Sequence, residues 1–176
     1  MNGIFAGVRK GDAVLAALLT ALGALLMIEN IRSGSPSDIR IDSHSWLMVP
    51  VFAAATLPIL WRRRSMIAVL LVTAAALGAH VLAFGWVVRC GAGLPLAFAL
   101  AYGAGKLSRG VWSWVGLVLT LAIQVLVLVQ DSATGLSIIA VTAAIGVVCW
   151  GIGVLLARRA GRSAAVEVSA PAAVRV

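Results

Sequence analysis

Three stretches of this chain, residues 66–88, 111–129 and 135–157, contain no Asp, Glu, Lys or Arg. Short charged groups punctuate them: Arg62-Arg63-Arg64, then Lys106 and Arg109, then Arg158, Arg159 and Arg162. This pattern constrains the fold more than any other feature. A helix that crosses a bilayer needs roughly 17–25 mostly apolar residues. Its backbone must satisfy its own hydrogen bonds, because the hydrocarbon offers none. The apolar runs are continuous rather than alternating, which excludes the two-residue repeat of a membrane β-barrel. Composition agrees: 62% of the 176 residues are hydrophobic and 11% charged, against about 45–50% and about 25% in soluble domains. The sequence therefore predicts an all-α, polytopic membrane helix bundle.

Six spans follow from the punctuation. The first covers residues 12–28 and is read as a retained helix, because Met27-Ile28-Glu29-Asn30 stands where a signal peptide would carry small residues. A polar loop, residues 29–45, holds Gly34, Pro36 and several serines, which oppose regular structure. The second span, residues 46–60, is short and carries Pro50 and Pro58. The third covers 66–88, the fourth 92–105, the fifth 111–129 and the sixth 135–157. The fourth reaches only about 21 Å at the helical rise, so it either thins the bilayer or dips into it. Residues 1–162 thus form the bundle, and residues 163–176 are expected to be a disordered cytoplasmic tail.

Positive charge in short loops sets the orientation. With the N-terminus inside, the inner segments hold Arg9, Lys10, Arg62, Arg63, Arg64, Lys106, Arg109, Arg158, Arg159, Arg162 and Arg175. The outer segments hold only Arg32, Arg40 and Arg89. The bias alternates correctly at every turn for six spans with both termini cytoplasmic. Without the fourth crossing, KLSRG would fall outside. Trp46 and Trp86 lie near outer ends, and Trp61, Trp112 and Trp114 near inner ends, where interfacial aromatics belong. Trp150 lies inside the last span and is expected to pack against another helix. The net charge of +8 does not indicate nucleic acid, since the basic residues are scattered between apolar blocks rather than gathered on one face.

No nucleotide-binding glycine loop, HExxH or GxSxG motif is present. Cys90 and Cys149 are too few for a four-ligand metal site and differ too much in depth for a disulfide. Asp38, Asp42 and His44 in the outer loop read as solvated residues. No metal or cofactor is expected. Polar residues within spans are costly and mark either function or helix-to-helix hydrogen bonds. His80 and Gln124 lie at similar depths in the outer halves of spans three and five, and Glu29 caps span one on the same side. These three are the candidate ligand- or proton-sensing residues, with His80 and Gln124 expected to face the bundle interior. Three ridges of small residues, Ala75/Ala79/Ala83, Ala97/Ala101/Gly105 and Cys149/Gly153/Ala157, allow close helix approach.

The stretch LPILWRRRSMIAVLLVTAAALGAH, a helix Pro followed by Trp, an Arg run and an aliphatic helix, resembles the N-terminal membrane region of actinobacterial sensor histidine kinases. LPLAFALAYGAGKLSRG resembles their next section, and the likeness covers most of residues 1–160. It implies a bare sensor bundle in the bacterial plasma membrane, partnered by lipid and by itself or a membrane-bound histidine kinase. After Arg158-Arg159-Ala160-Gly161-Arg162 the sequence departs from that family, with SAAVEVSAPAAVRV in place of the long helix, phosphoacceptor histidine and ATP-binding domain. His44 and His80, the only histidines, are both misplaced for phosphotransfer. The expectation is a non-catalytic sensor or signalling-partner module. The alternatives are a small transporter component, disfavoured by the lack of a central acid or base and of an inverted repeat, or a structural membrane protein.

Overall fold

The computed structural model describes residues 8–33 and 41–169, with side chains placed through residue 162. Among them the regular structure is helical, apart from one isolated bridge between Val87 and Asp131. The helices are α1 (Lys10–Arg32), α2 (Met48–Thr56), α3 (Met66–Phe84), α4 (Cys90–Leu107), α5 (Val111–Leu128) and α6 (Ile139–Ser169). A 3-10 turn, Leu57–Trp61, prolongs α2, and another, Gly135–Ile138, precedes α6. Four segments are long and apolar enough to cross a membrane: Lys10–Arg32, Met66–Phe84, Val111–Leu128 and Gly135–Arg162.

Local chemistry sets the boundaries. Ser65 caps α3, its Oγ accepting the amide of Ala68 at 3.3 Å. Gly85, at φ +61, ends α3 at Phe84, short of residue 88, because only glycine takes that backbone cheaply. Pro50 falls in the first turn of α2, where an amide would lack a helical partner anyway. Pro58 opens the 3-10 turn. The fourth apolar segment, Cys90–Leu107, has 18 residues. It therefore spans about 27 Å, longer than the run read from residues 92–105. Helix α6 continues to Ser169, past residue 162, where a disordered tail was expected to begin. Residues 170–176 of that tail lie outside the described residues.

Burial is inverted relative to a soluble protein. Leu82 is 89% exposed, and Leu18, Leu25, Val118 and Val141 also face outward, while Thr73, His80, Arg89, Thr120 and Gln124 are fully buried. Such a surface suits hydrocarbon, in which polar groups must find partners inside. The core runs through Phe52, Leu77, Leu96, Leu100 and Ile123.

The turns gather at two ends. At one, which we call the Asp131 end, Asp42 exchanges hydrogen bonds with Trp86, and Ser132 N donates to Val87 O at 3.3 Å. This joins the segments after α1, α3 and α5. At the other, the Asp12 end, Arg62 and Arg63 of the turn before α3 reach Asp12 in the first turn of α1. Helix α4 packs against α1, α3, α5 and α6, and its most extensive contact is with α6. Two of the three small-residue ridges make that contact. A Cβ on Gly105 would strike the carbonyl oxygen of Trp150, and one on Gly153 that of Tyr102. The Ala75/Ala79/Ala83 ridge faces outward instead.

Candidate functional site

At the Asp131 end the turn after α3 folds back into the bundle and carries Arg89 with it. Arg89 is fully buried and precedes the first residue of α4. Its Nε donates to His80 Nδ1 at 3.1 Å, its Nη1 to the carbonyl of Gln130 at 3.0 Å, and its Nη2 to the carbonyl of Gly85. A guanidinium presents five donors in a fixed fork, and here the turns before α4 and after α5 accept from it. Arg89 therefore ties α3, α4 and α5 together at one point.

Asp131 completes the junction. It is 2% exposed. Its Oδ2 accepts the amides of Arg89 at 2.6 Å and Cys90 at 2.8 Å, which are unpaired donors at the start of α4. Its Oδ1 accepts the amides of Ala133 and Thr134, both at 3.0 Å, and the Thr134 hydroxyl at 3.3 Å. One carboxylate thus caps the helix beginning 41 positions earlier and shapes its own turn. Its negative charge also favours the Arg89 cation and the positive end of the α4 dipole.

His80 faces the interior, in edge-on contact with Phe84 at 4.8 Å and Phe52 at 5.7 Å between ring centres. Because Nδ1 accepts from Arg89, the imidazole is neutral and its proton sits on Nε2. Nε2 makes no hydrogen bond among the described residues. A second proton would have to displace Arg89 from Nδ1, so His80 serves as an acceptor for the arginine.

Gln124 is also fully buried, but it does not join this junction. Its carboxamide lies against Gly146 of α6, and neither of its polar atoms hydrogen-bonds within the described residues. Although similar depths were expected for them, His80 and Gln124 are not brought together, because they point to different neighbours. Glu29 is exposed. Its neighbour Asn30 holds the position inside, donating through Nδ2 to the Val88 carbonyl at 2.8 Å while its Oδ1 accepts the Val88 amide at 3.1 Å. The register explains the exchange: Ala16, Leu19, Gly23, Met27 and Asn30 form the buried stripe of α1, and Glu29 lies about 100° away from Asn30.

Reading by residue type and depth thus located His80 and missed Arg89, Asp131 and Asn30. Asp131 carried a signal in DSAT, the local spacing of a carboxylate that caps its own turn. Arg89 carried none, since nothing nearby in sequence distinguishes it from a loop arginine.

At the Asp12 end, Asp12 is 1% exposed. Its Oδ1 accepts from Arg62 Nε and Nη2 at 2.8 and 2.5 Å, and its Oδ2 from Arg63 Nε at 2.6 Å. No group of three or more His, Cys, Asp or Glu side chains among the described residues could hold a metal ion. Asp42 and His44 bind separate partners, with His44 Nδ1 3.2 Å from the Asn30 carbonyl oxygen. Asp38 lies outside the described residues. Trp150 packs on Trp114 at 4.6 Å between ring centres and donates to Ser113 Oγ at 3.0 Å. Comparison with protein-family models, curated proteins and solved structures finds no match to this chain.

Proposed function

We propose that this chain is a non-catalytic module of the bacterial plasma membrane that responds at its Asp131 end and passes that response through α4 to α6. The observation that carries the proposal is the double attachment of α4. Its first amides are held by the Asp131 carboxylate within the buried Arg89–His80 junction. Toward its other end, its backbone lies directly against that of α6 at Gly105 and Gly153. A helix held at both ends moves as a rod. A stimulus that loosens the junction shifts α4, and the glycine contact leaves α6 no room to stay behind. Helix α6 carries Arg158, Arg159 and Arg162 beyond its last apolar turn, a suitable lever for a cytoplasmic partner.

In this reading six segments cross, with both termini cytoplasmic. The grouping of turns at two ends supports it, as does the charge bias, which assigns the Asp131 end to the outside. The resemblance to the sensor half of histidine kinases supplies the partner class: a second copy of this chain or a membrane-bound histidine kinase.

The test is a distance measurement in lipid nanodiscs. With Cys90 and Cys149 replaced by Ala, spin labels at Val111 and Arg162 report the inner ends of α5 and α6. Asp131→Asn and Arg89→Lys should each shift or broaden the distance distribution. Unchanged distributions in folded variants would remove the transmission.

A further inference from the structure

A groove of about 660 Å³ opens between the α4–α5 turn and the middle of α6. Its size falls within the range of small-molecule sites, roughly 300–1,000 Å³. Two arginines from separate elements stand on its wall: Arg109 from the turn and Arg158 from α6. Both are exposed, and no acidic residue among the described residues lines the groove. Ser108 adds a hydroxyl beside Arg109, while Trp114, Trp150 and Val154 form an apolar strip leading away from the charges.

The shape follows from the packing already described. Gly105 and Gly153 draw α6 onto α4, and the Trp150–Ser113 hydrogen bond holds the start of α5 against α6. What remains is a cleft with a cationic mouth and an aromatic and aliphatic wall. An amphiphile with one negative head and a hydrocarbon tail matches both parts. A soluble anion would use the arginines and leave the tryptophan wall idle.

We propose that this groove binds an anionic phospholipid, its phosphate between Arg109 and Arg158 and its acyl chain along Trp114 and Val154. The proposal rests on the chain lying in a bilayer and is independent of transmission from the Asp131 end. Basic pockets between membrane helices bind acidic headgroups by the same chemistry. Each arginine near such a charge contributes about fivefold in affinity, so the pair sets a preference of about 25-fold over a zwitterionic lipid of equal chain length.

The experiment uses the purified chain in detergent, titrated with dioleoyl phosphatidylglycerol or dioleoyl phosphatidylcholine and read by native mass spectrometry. The wild type should retain phosphatidylglycerol at least several-fold more strongly. Arg109→Gln with Arg158→Gln should abolish that preference, and Arg64→Gln, an exposed arginine outside the groove, should keep it. Equal retention of both lipids, an unchanged preference in the double variant, or an equal loss with Arg64→Gln would each overturn the proposal. Inorganic phosphate competing as well as the lipid would also overturn it, in favour of a plain anion site. A second readout does not depend on the arginine variants: brominated-chain phosphatidylglycerol should quench tryptophan fluorescence more than its phosphatidylcholine counterpart. Trp114→Phe should remove part of that difference, and an unaltered difference would take the lipid out of the groove.

Discussion

Replacing Asp131 by Ala tests the Asp131 junction at its most connected atom pair. The carboxylate accepts four backbone amides and one hydroxyl, and the side chain is 2% exposed. Alanine leaves the Arg89 and Cys90 amides at the head of α4 without that acceptor. Losing a helix cap alone costs about 1 kcal/mol. Hydrogen bonds to a charged acceptor contribute about 1.5–3 kcal/mol each, though they are not additive within one carboxylate. The Arg89 cation, fully buried, also loses the nearby negative charge that favours it. Water reaching the vacated turn recovers part of this, so the net loss should be about 3–5 kcal/mol. Unfolding by sodium dodecyl sulfate from mixed micelles, followed by tryptophan fluorescence, measures it. Leu82→Ala, at a site 89% exposed, provides the baseline and should change stability by less than about 0.5 kcal/mol. A loss below about 1 kcal/mol for Asp131→Ala would mean that the junction does not hold α4.

Gly105→Val and Gly153→Val should each destabilise by at least about 1–3 kcal/mol in the same titration, because the obstacle is backbone carbonyl oxygen and cannot rotate away. Gly78→Ala, with nothing within 4 Å of its Cβ position, should be neutral or slightly stabilising, and similar losses at all three sites would contradict the close contact. His80→Leu leaves the buried Arg89 Nε without its acceptor and should cost about 1–3 kcal/mol while membrane insertion, checked by alkaline extraction, is unchanged. Asp12→Ala should cost less than Asp131→Ala, since Arg62 and Arg63 are 14% and 33% exposed and can turn to water; the reverse ranking would count against it. For topology, single cysteines replacing Arg64 and Arg109 in a chain lacking Cys90 and Cys149 should resist impermeant maleimide in intact cells, while one at Ser132 should react. Labelling at residue 109 from outside would remove the fourth crossing.

Much of the architecture was legible because hydrocarbon leaves few choices. Uninterrupted apolar runs gave helices at the expected places, and Trp150 inside the last run found a helix partner through Ser113. What sequence hid depended on register or on distant contacts. Depth along a helix can be counted from sequence, but azimuth depends on which neighbours surround each helix. One residue step separates exposed Glu29 from buried Asn30, and only the stripe of Ala16, Leu19, Gly23 and Met27 tells them apart. Arg89 looked like a loop charge because its partners lie in three different turns and helices. Asp131 looked like a boundary acid because the amides it caps belong to a helix far earlier in the chain.

The weak apolar signal of α4 has a physical cause. A helix that touches lipid must be apolar on its outer faces, whereas a helix walled in by others needs only to pack. Helix α4 packs against α1, α3, α5 and α6, and Ala92, Leu96, Ala97, Leu100, Ala101 and Ala104 are all buried at 1% exposure or less. Small side chains let neighbours approach closely, and they lower hydropathy as they do so. The same alanine and glycine residues that made 92–105 the shortest of the six expected spans place α4 among four neighbouring helices. Its neighbour α6 shows the converse, with Val141, Ile145, Val148, Ile152 and Leu155 exposed along its length. In the proposed reading, movement of α4 would cost core contacts, whereas α6 presents its exposed apolar face to the surroundings. In the proposed transmission α6 would follow α4, coupled through the close contacts at Gly105 and Gly153.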